Sequence, residues 1–476
     1  MSEDARFDLV VIGGGVGGLV TASVAGQLGV RVALIERGDN LGGDCLHFGC
    51  VPSKTLIRSA AVAHAARSGP EFGIASSLGK VDLGAVSDRV HEVIATIQKH
   101  DDPERFRSYG INVRFGEAHF LDPHTVEVDG ETLTARRFVI ATGSRPAVPP
   151  IPGLDQVPFW TNETVFNQRE LPSRLGVIGG GPIGLEMAQA FQRLGSQVTV
   201  LEAAPRVLAR EDPELTELLE ARLRQEGLDL RTGASVTAAR ATDDGFALDL
   251  GDGADAETLG FDAILVAAGR RANVEALNLD AAGVATSNGL IEVDRRMRTS
   301  QKHIFACGDC AGPYPFTHVA EYQAGVVIAN TVFRLPKRVD YRVIPWVTYT
   351  APELAQVGLT EAMAEEEGIQ AKVLRFRFSD VDRALTDGDT DGMMKLIVRR
   401  GRILGASILG PHAGELIHEI VLAMQARVKL SSLSGAVHAY PTLAQIHRRT
   451  ANTLYSKTLY SDRTRRLVRW LQWLIP

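Results

Sequence analysis

FDLVVIGGGVGGLVTASVAGQLGVRVALIE, residues 7–36, reads as a strand, a glycine-rich turn, a helix of small residues and a second strand ending on an acid. Gly13, Gly15 and Gly18 have G-x-G-x-x-G spacing. The first glycine makes the tight turn, the second lets backbone approach a pyrophosphate, and the third lets helix and strand pack closely. The helix N-terminus then faces the phosphates, and Glu36 accepts hydrogen bonds from ribose hydroxyls. The pattern returns in SRLGVIGGGPIGLEMAQAFQRLGSQVTVLE, residues 173–202, with Gly179, Gly181 and Gly184, and with Glu202 as far from its first glycine as Glu36 is from Gly13. One such turn is a weak signal. Two copies, each with strand, helix and acid, predict two dinucleotide sites, for FAD and for a pyridine nucleotide. The Glu202 carboxylate would repel a 2′-phosphate, which favours NADH over NADPH, and Arg206 nearby would soften that preference.

A chain of 476 residues is too long for one hydrophobic core, so two to four domains are expected. It is 45% hydrophobic and 23% charged, an ordinary globular composition without low-complexity tracts. A net charge of −6 spread along the chain gives no electrostatic case for nucleic acid. Residues 9–30 are uncharged, but their glycine crowding and the acidic flank of Glu3 and Asp4 argue against a membrane span or a signal peptide. Four cysteines and no export signal predict a reducing cytoplasm, where a persistent structural disulfide is not expected.

Two of those cysteines lie in GGDCLHFGCVPSKTL, residues 42–56. Leu56, Ile57, Ala60 and Ala61 recur at helical spacing and Pro52 suits a first turn, which puts Cys50 at a helix N-terminus. The helix dipole there favours a thiolate, and beside a flavin such a pair can cycle between disulfide and dithiol. His47 lies between Cys45 and Cys50, so metal ligation and inert thiols stay open on the residues alone. Cys307 and Cys310 form a C-x-x-C in FACGDC, with no second C-x-x-C to complete a zinc site. No residue is assigned to a metal.

The segment GGDCLHFGCVPSKTL is similar to the active-site segment of the class I pyridine nucleotide–disulfide oxidoreductases, among them dihydrolipoamide dehydrogenase, glutathione reductase and mercuric reductase. ATGSRP (141–146), AAGRRAN (267–273), FACGDC (305–310), HVAEYQAG (318–325), GPHAGELIHE (410–419) and AYPTLAQ (439–445) resemble that family in its order. The resemblance implies that Cys50 is the thiol nearest the flavin, forming a charge-transfer contact, and that Cys45 is the interchange thiol that meets substrate. It implies that Lys54 lies near the flavin and pairs with Glu186, that Asp309 binds the ribityl chain, and that Glu36 binds the FAD adenosine ribose. Gly43, Thr142, Gly143, Gly269, Gly308 and His318, in the same motifs, join the cofactor-binding set. A cation close to the isoalloxazine stabilises its reduced anion, in agreement with Lys54. For Cys307 and Cys310 the resemblance favours inert thiols, because their loop is committed to the flavin.

The sequence departs from the family at one place. Dihydrolipoamide dehydrogenases and glutathione reductases carry a catalytic His-Pro with a glutamate five residues after the histidine. Here those positions hold Tyr440 and Gln445, and His438 comes two residues too early. An unperturbed tyrosine, with a pKa near ~10, is poorly matched to thiol chemistry at neutral pH. Losing the general base costs on the order of 10²- to 10⁴-fold in rate unless His438 or substrate supplies it. Mercuric reductases carry a tyrosine in that place, yet they also carry a C-terminal cysteine pair, and no cysteine follows Cys310.

The expected fold class is α/β, with two Rossmann-like dinucleotide-binding domains and a C-terminal α/β dimerisation domain built on an antiparallel sheet. The FAD domain would take 1–150 and 278–345, the NAD(P)H domain 151–277, and the interface domain 346–476. KVLRFRF, MKLIVRR and ILGASIL read as its strands and GELIHEIVLAMQARV as its helix. The tail RTRRLVRWLQWLIP, 463–476, is basic and amphipathic, with Leu467, Trp470, Leu471 and Leu474 on one face. It would lie on an anionic membrane surface, or pack on its own domain or the partner subunit. The expected enzyme is a cytoplasmic homodimer, with peripheral membrane contact through the tail as a further reading. It passes electrons from NADH through FAD and Cys45–Cys50 to a disulfide, dithiol or thiophilic acceptor. Two other readings stand beside it: electrons leaving the flavin directly for a quinone, metal ion or oxygen, and a non-catalytic redox sensor or assembly partner.

Overall fold

Leu9–Ile12 and Val32–Glu36 pair in parallel, with Val10 beside Ala33, because the helix between them returns the chain to the same sheet edge. In the computed structural model, which describes residues 6–251 and 256–474, this pair is the centre of a five-stranded parallel sheet. Glu3, Asp4, Ile475 and Pro476 lie outside the described residues. Phe138–Ile140 and Ile304–Ala306 extend the sheet beyond Leu9–Ile12, and Asn112–Phe115 extends it beyond Val32–Glu36. The strand order reverses between Leu9–Ile12 and Phe138–Ile140, where an open α/β sheet leaves a crevice for ligand. Val16–Gln27 packs against Thr317–Thr331, with Gly17 facing Ala320, and Gly18 lets the helix lie against its own turn: a Cβ there would sit 1.8 Å from the Gly13 carbonyl oxygen.

The chain divides into two compact units. One runs to Gly179 and adds Ala190–Leu201 and Ser235–Asp340; the other takes Gly180–Gln189, Glu202–Ala234 and the chain from Tyr341 onward. Besides the five-stranded sheet, the first unit holds a second parallel group, with Arg174–Ile178 between the strand starting at Gln197 and Ala263–Val266. An antiparallel meander, Val236–Thr242, Gly245–Leu250 and Glu257–Phe261, adjoins it. Leu154, Ile178, Leu248, Phe261 and Ile264 form their shared core.

The second unit is built on a five-stranded antiparallel sheet. Lys372–Arg377, Met393–Arg399 and Arg402–Gly410 are three of its strands, as the sequence predicts, and Glu353–Gly358 and Pro345–Thr348 complete it. Ala413–Gln425 lies on this sheet and buries Ile417 and Ile420 with Phe378, Met394, Leu396 and Ile408.

Candidate active site

Gly13 carries a φ of +110°, and a Cβ there would stand 2.3 Å from the Ala141 carbonyl oxygen. Gly179 has the same conformation against Ala267, at 2.5 Å, so the two turns are built alike. The acids are also held alike. Glu36 accepts from the backbone N–H of Gly14 at 2.6 Å and of Gly38 at 2.7 Å; Glu202 accepts from Gly180 at 2.6 Å and Ala204 at 2.7 Å. Two backbone donors on a carboxylate leave lone pairs for two ribose hydroxyls and hold its orientation. Gly181 has open space where a Cβ would be, as a pyrophosphate-facing position requires, and Gly184 lies in the first turn of the helix Pro182–Leu194.

A cleft opens at the carboxyl ends of the first sheet, lined by Gly13, Glu36, Arg37, Thr142 and Arg145. Thr142 Oγ1 is buried there with only the Cys310 thiol beside it among the described residues, an unsatisfied polar group facing a ligand crevice. Gly43 packs against the turn, since a Cβ on it would lie 2.7 Å from the Gly15 Cα, and Gly42 donates to the Gly14 carbonyl at 2.8 Å. The glycine cradle, the oriented acid and this orphaned hydroxyl fit FAD.

That packing delivers the cysteines. Cys45 lies in the short helix Gly43–His47, and Cys50 is the first residue of the helix Cys50–Ser68, in the position the sequence predicts. Neither is in a disulfide; Cys45 is half-buried and Cys50 exposed. The hydrogen-bonded Cys50 sulfur, then burial, hold the Cys45 thiol well above the usual cysteine range, while Thr317 pulls the other way. Thr317 Oγ1 also lies 3.6 Å from Cys50 Sγ, so one hydroxyl at the start of Thr317–Thr331 serves both thiols. The next residue, His318, is exposed and stacks on Phe316 at 5.5 Å between ring centroids.

Four motifs converge on Arg270, a residue that sequence reasoning did not single out. Its guanidinium reaches Asp44 at 3.1 Å, Ser144 Oγ at 2.8 Å and Asp309 at 3.8 Å, and Ser144 donates to Asp309 at 2.5 Å. Burial raises the Asp309 carboxyl above its ordinary range, opposed by the Ser144 hydrogen bond and Arg270. Gly143 and Gly269 make the turns on either side: Asn273 donates to the carbonyls of Gly143 at 3.0 Å and Thr142 at 2.9 Å. Gln323 holds the Asp309 loop, accepting from Gly308 N–H at 2.7 Å and donating to the Gly312 carbonyl at 2.9 Å. Cys307 and Cys310 are buried and keep their protons, Cys307 pushed up by burial and Cys310 to about 11 for the same reason.

Lys54 stands one turn after Cys50, its ammonium 3.3 Å from Ser53 Oγ. Glu186 belongs to the second unit, where it is buried and accepts from Tyr349 N–H at 2.9 Å. Arg206 spends its guanidinium on its own loop, donating to the carbonyls of Leu208, Ala209 and Glu211. Tyr440 is 69% exposed. His438 is withdrawn from solvent, with Nε2 3.0 Å from Glu419, whose other oxygen lies 2.6 Å from His447 Nδ1. The tail helix Asp462–Leu474 leaves Leu467, Trp470, Leu471 and Leu474 exposed, so this face does not pack on its own domain. No helix among the described residues is long and apolar enough to cross a membrane.

Residues 7–324 match the family described as pyridine nucleotide-disulphide oxidoreductase, and residues 344–451 match its dimerisation domain, which suggests a homodimer. Mercuric reductase of Staphylococcus aureus is 34% identical over 93% of this chain and 82% of its own. Dihydrolipoyl dehydrogenase of Chlamydia muridarum is 36% identical over 97% and 99%. Among solved structures, the HOCl-induced flavoprotein disulfide reductase RclA from Escherichia coli superposes with a TM-score of 0.84 at 29% identity, covering 94% of this chain and 99% of that one. None of these matches supports membrane contact by the tail.

Proposed function

The chain belongs to the pyridine nucleotide-disulphide oxidoreductases, enzymes of FAD-dependent, NAD(P)H-linked disulfide chemistry, and from that premise we propose that Cys45 delivers electrons from NADH to a small disulfide or a thiophilic acceptor. FAD, when bound, supplies the two-electron link between the nicotinamide and the cysteine pair. The observation that carries the reading is the pair itself: Cys50 at a helix N-terminus, Cys45 hydrogen-bonded to it, and Thr317 beside both sulfurs. Cys45 keeps its proton beside the Cys50 sulfur. Lys54, one turn on, would hold positive charge beside the cofactor ring. Glu36, Thr142 and the Asp309 loop would hold FAD, and the Glu202 turn the pyridine nucleotide. Glu202 presents a carboxylate where a 2′-phosphate would lie, and Arg206, committed to its own loop carbonyls, does not offset it; this supports NADH.

A second reading rests on the C-terminal segment. With Tyr440 in the place of the family's histidine and His438 drawn against Glu419, that segment offers no open imidazole for proton transfer to a leaving thiol. That favours acceptors needing no such proton, a soft metal ion at the cysteines or a quinone reached without them. Anaerobic titration with NADH should develop a long-wavelength thiolate-to-flavin band, and its absence overturns the cysteine route. Cys45→Ser is expected to abolish reduction of glutathione disulfide or lipoamide. Retention of full acceptor turnover by that variant would assign the electron exit to the route that bypasses the cysteines.

A further inference from the structure

Helix Ala413–Gln425 carries Glu419, the segment before Pro441 carries His438, and helix Gln445–Leu459 carries His447. Their ligand atoms all lie within 4.8 Å of one another. His438 Nε2 lies 3.0 Å and 3.3 Å from the two Glu419 oxygens, and His447 Nδ1 lies 2.6 Å from one of them. In the tautomer whose Nδ1–H donates to the Ala436 carbonyl at 3.4 Å, the Nε2 lone pair is directed at Glu419. A lone pair and a carboxylate oxygen repel unless a cation stands between them.

His447 is the second observation. It is 1% exposed, and neither of its ring nitrogens has a hydrogen-bond partner among the described residues. Its close approach to Glu419 is off the direction of a hydrogen bond, so proximity does not satisfy it. A buried imidazole left in that state is costly, and ligation to a metal satisfies it directly. Two imidazoles and one carboxylate are the donor set of three-ligand zinc sites with one open position. Bonds of about 2.0–2.2 Å to each ligand place tetrahedral donor atoms roughly 3.3 Å apart, within the range this cluster spans.

We propose that Glu419, His438 and His447 form a binding site for a divalent transition-metal ion of the zinc class, through one carboxylate oxygen, Nε2 of His438 and Nδ1 of His447. The Ala436 carbonyl orients the His438 ring from behind, as outer partners of metal-bound histidines do. Partly exposed Glu419 gives the ion its way in.

The FAD-loaded full chain carrying Cys45→Ser and Cys50→Ser, which removes the competing thiols, is titrated with Zn²⁺ by calorimetry and with Cu²⁺ by electron paramagnetic resonance. One Zn²⁺ per chain is expected, with nitrogen splitting from two imidazoles in the Cu²⁺ spectrum. His438→Gln and His447→Phe, each in that background, should weaken Zn²⁺ binding at least about 100-fold. If His447→Phe does not fold, His438→Gln decides alone, since glutamine keeps a polar group against Glu419. A site weaker than about 1 mM in the parent, or equal affinity in His438→Gln, overturns the proposal and leaves a proton-bridged His–Glu–His cluster.

Discussion

At the scale of single residues, burial does what no motif announces. Glu211 lies buried in the second unit, where Trp346 Nε1 donates to Oε1 at 2.6 Å and Oε2 has no partner among the described residues. Burial raises its pKa from 4.5 to about 7, against the Trp346 hydrogen bond. The folded chain therefore keeps this proton where the unfolded chain has lost it. Stability falls as pH rises from about 4.5 to about 7 and is level above that. Glu211→Gln keeps an acceptor for Trp346 and removes the slope. The variant should match wild type near pH 5 and exceed it at pH 8 by up to about 3 kcal/mol. Thermal unfolding at the two pH values checks this; a variant less stable than wild type at pH 8 sinks it. Arg270 teaches the same lesson in the active site: it stands inside the quoted motif AAGRRAN, yet its contacts with Asp44, Ser144 and Asp309 follow no sequence spacing.

At the scale of elements, the strand Met393–Arg399 is buried on both faces, including Lys395, which is 2% exposed. Burial alone would lower the Lys395 pKa; hydrogen bonds to Asp212, Glu361 and Glu214 more than offset it, and the net shift is upward. Its ammonium lies 2.7 Å from Asp212, 2.9 Å from Glu214 and 2.7 Å from Glu361. Asp212 is also the N-cap of Pro213–Gln225, so one lysine joins a helix start to the sheet of the second unit. Lys395→Ala leaves buried Asp212 without its cation, while Arg375 still meets Glu214 and Glu361, and should cost about 3–5 kcal/mol. An unchanged melting temperature would show that the cluster relaxes into water. The strand itself was legible from MKLIVRR as an apolar run. Its buried cation was not, because all its partners lie far away in sequence.

At the scale of the whole molecule, the second unit leaves large apolar side chains exposed on Ala413–Gln425 and on the segment before Pro441. Val437 is 94% exposed, and Leu422 and Tyr440 are each 69% exposed. Side chains of this kind at such exposure are placed for a partner surface. In a homodimer built through the matched dimerisation domain, Val437 would be covered by the second copy. Val437→Asp should then shift the mass measured by light scattering from dimer toward monomer. A variant that stays dimeric at micromolar concentration would place the interface elsewhere. The tail helix Asp462–Leu474 likewise leaves its apolar face open rather than packed on its own domain, one of the readings the sequence allowed.

The sequence by itself determined the two glycine turns with their acids, the thiol at the start of a helix and the antiparallel strands near the C-terminus. Each of these is a local matter of backbone conformation and residue period, so a short window contains the whole signal. It also displayed the loss of the family's histidine at Tyr440, since a missing residue needs no coordinates to be noticed. Tertiary structure alone decided which groups hold the acids, how Arg270 ties four motifs together, that Arg206 is spent on its own loop, and that His438 and His447 close on Glu419. Those outcomes depend on side chains brought together from distant segments. Burial and electrostatics, not spacing, set what they do there.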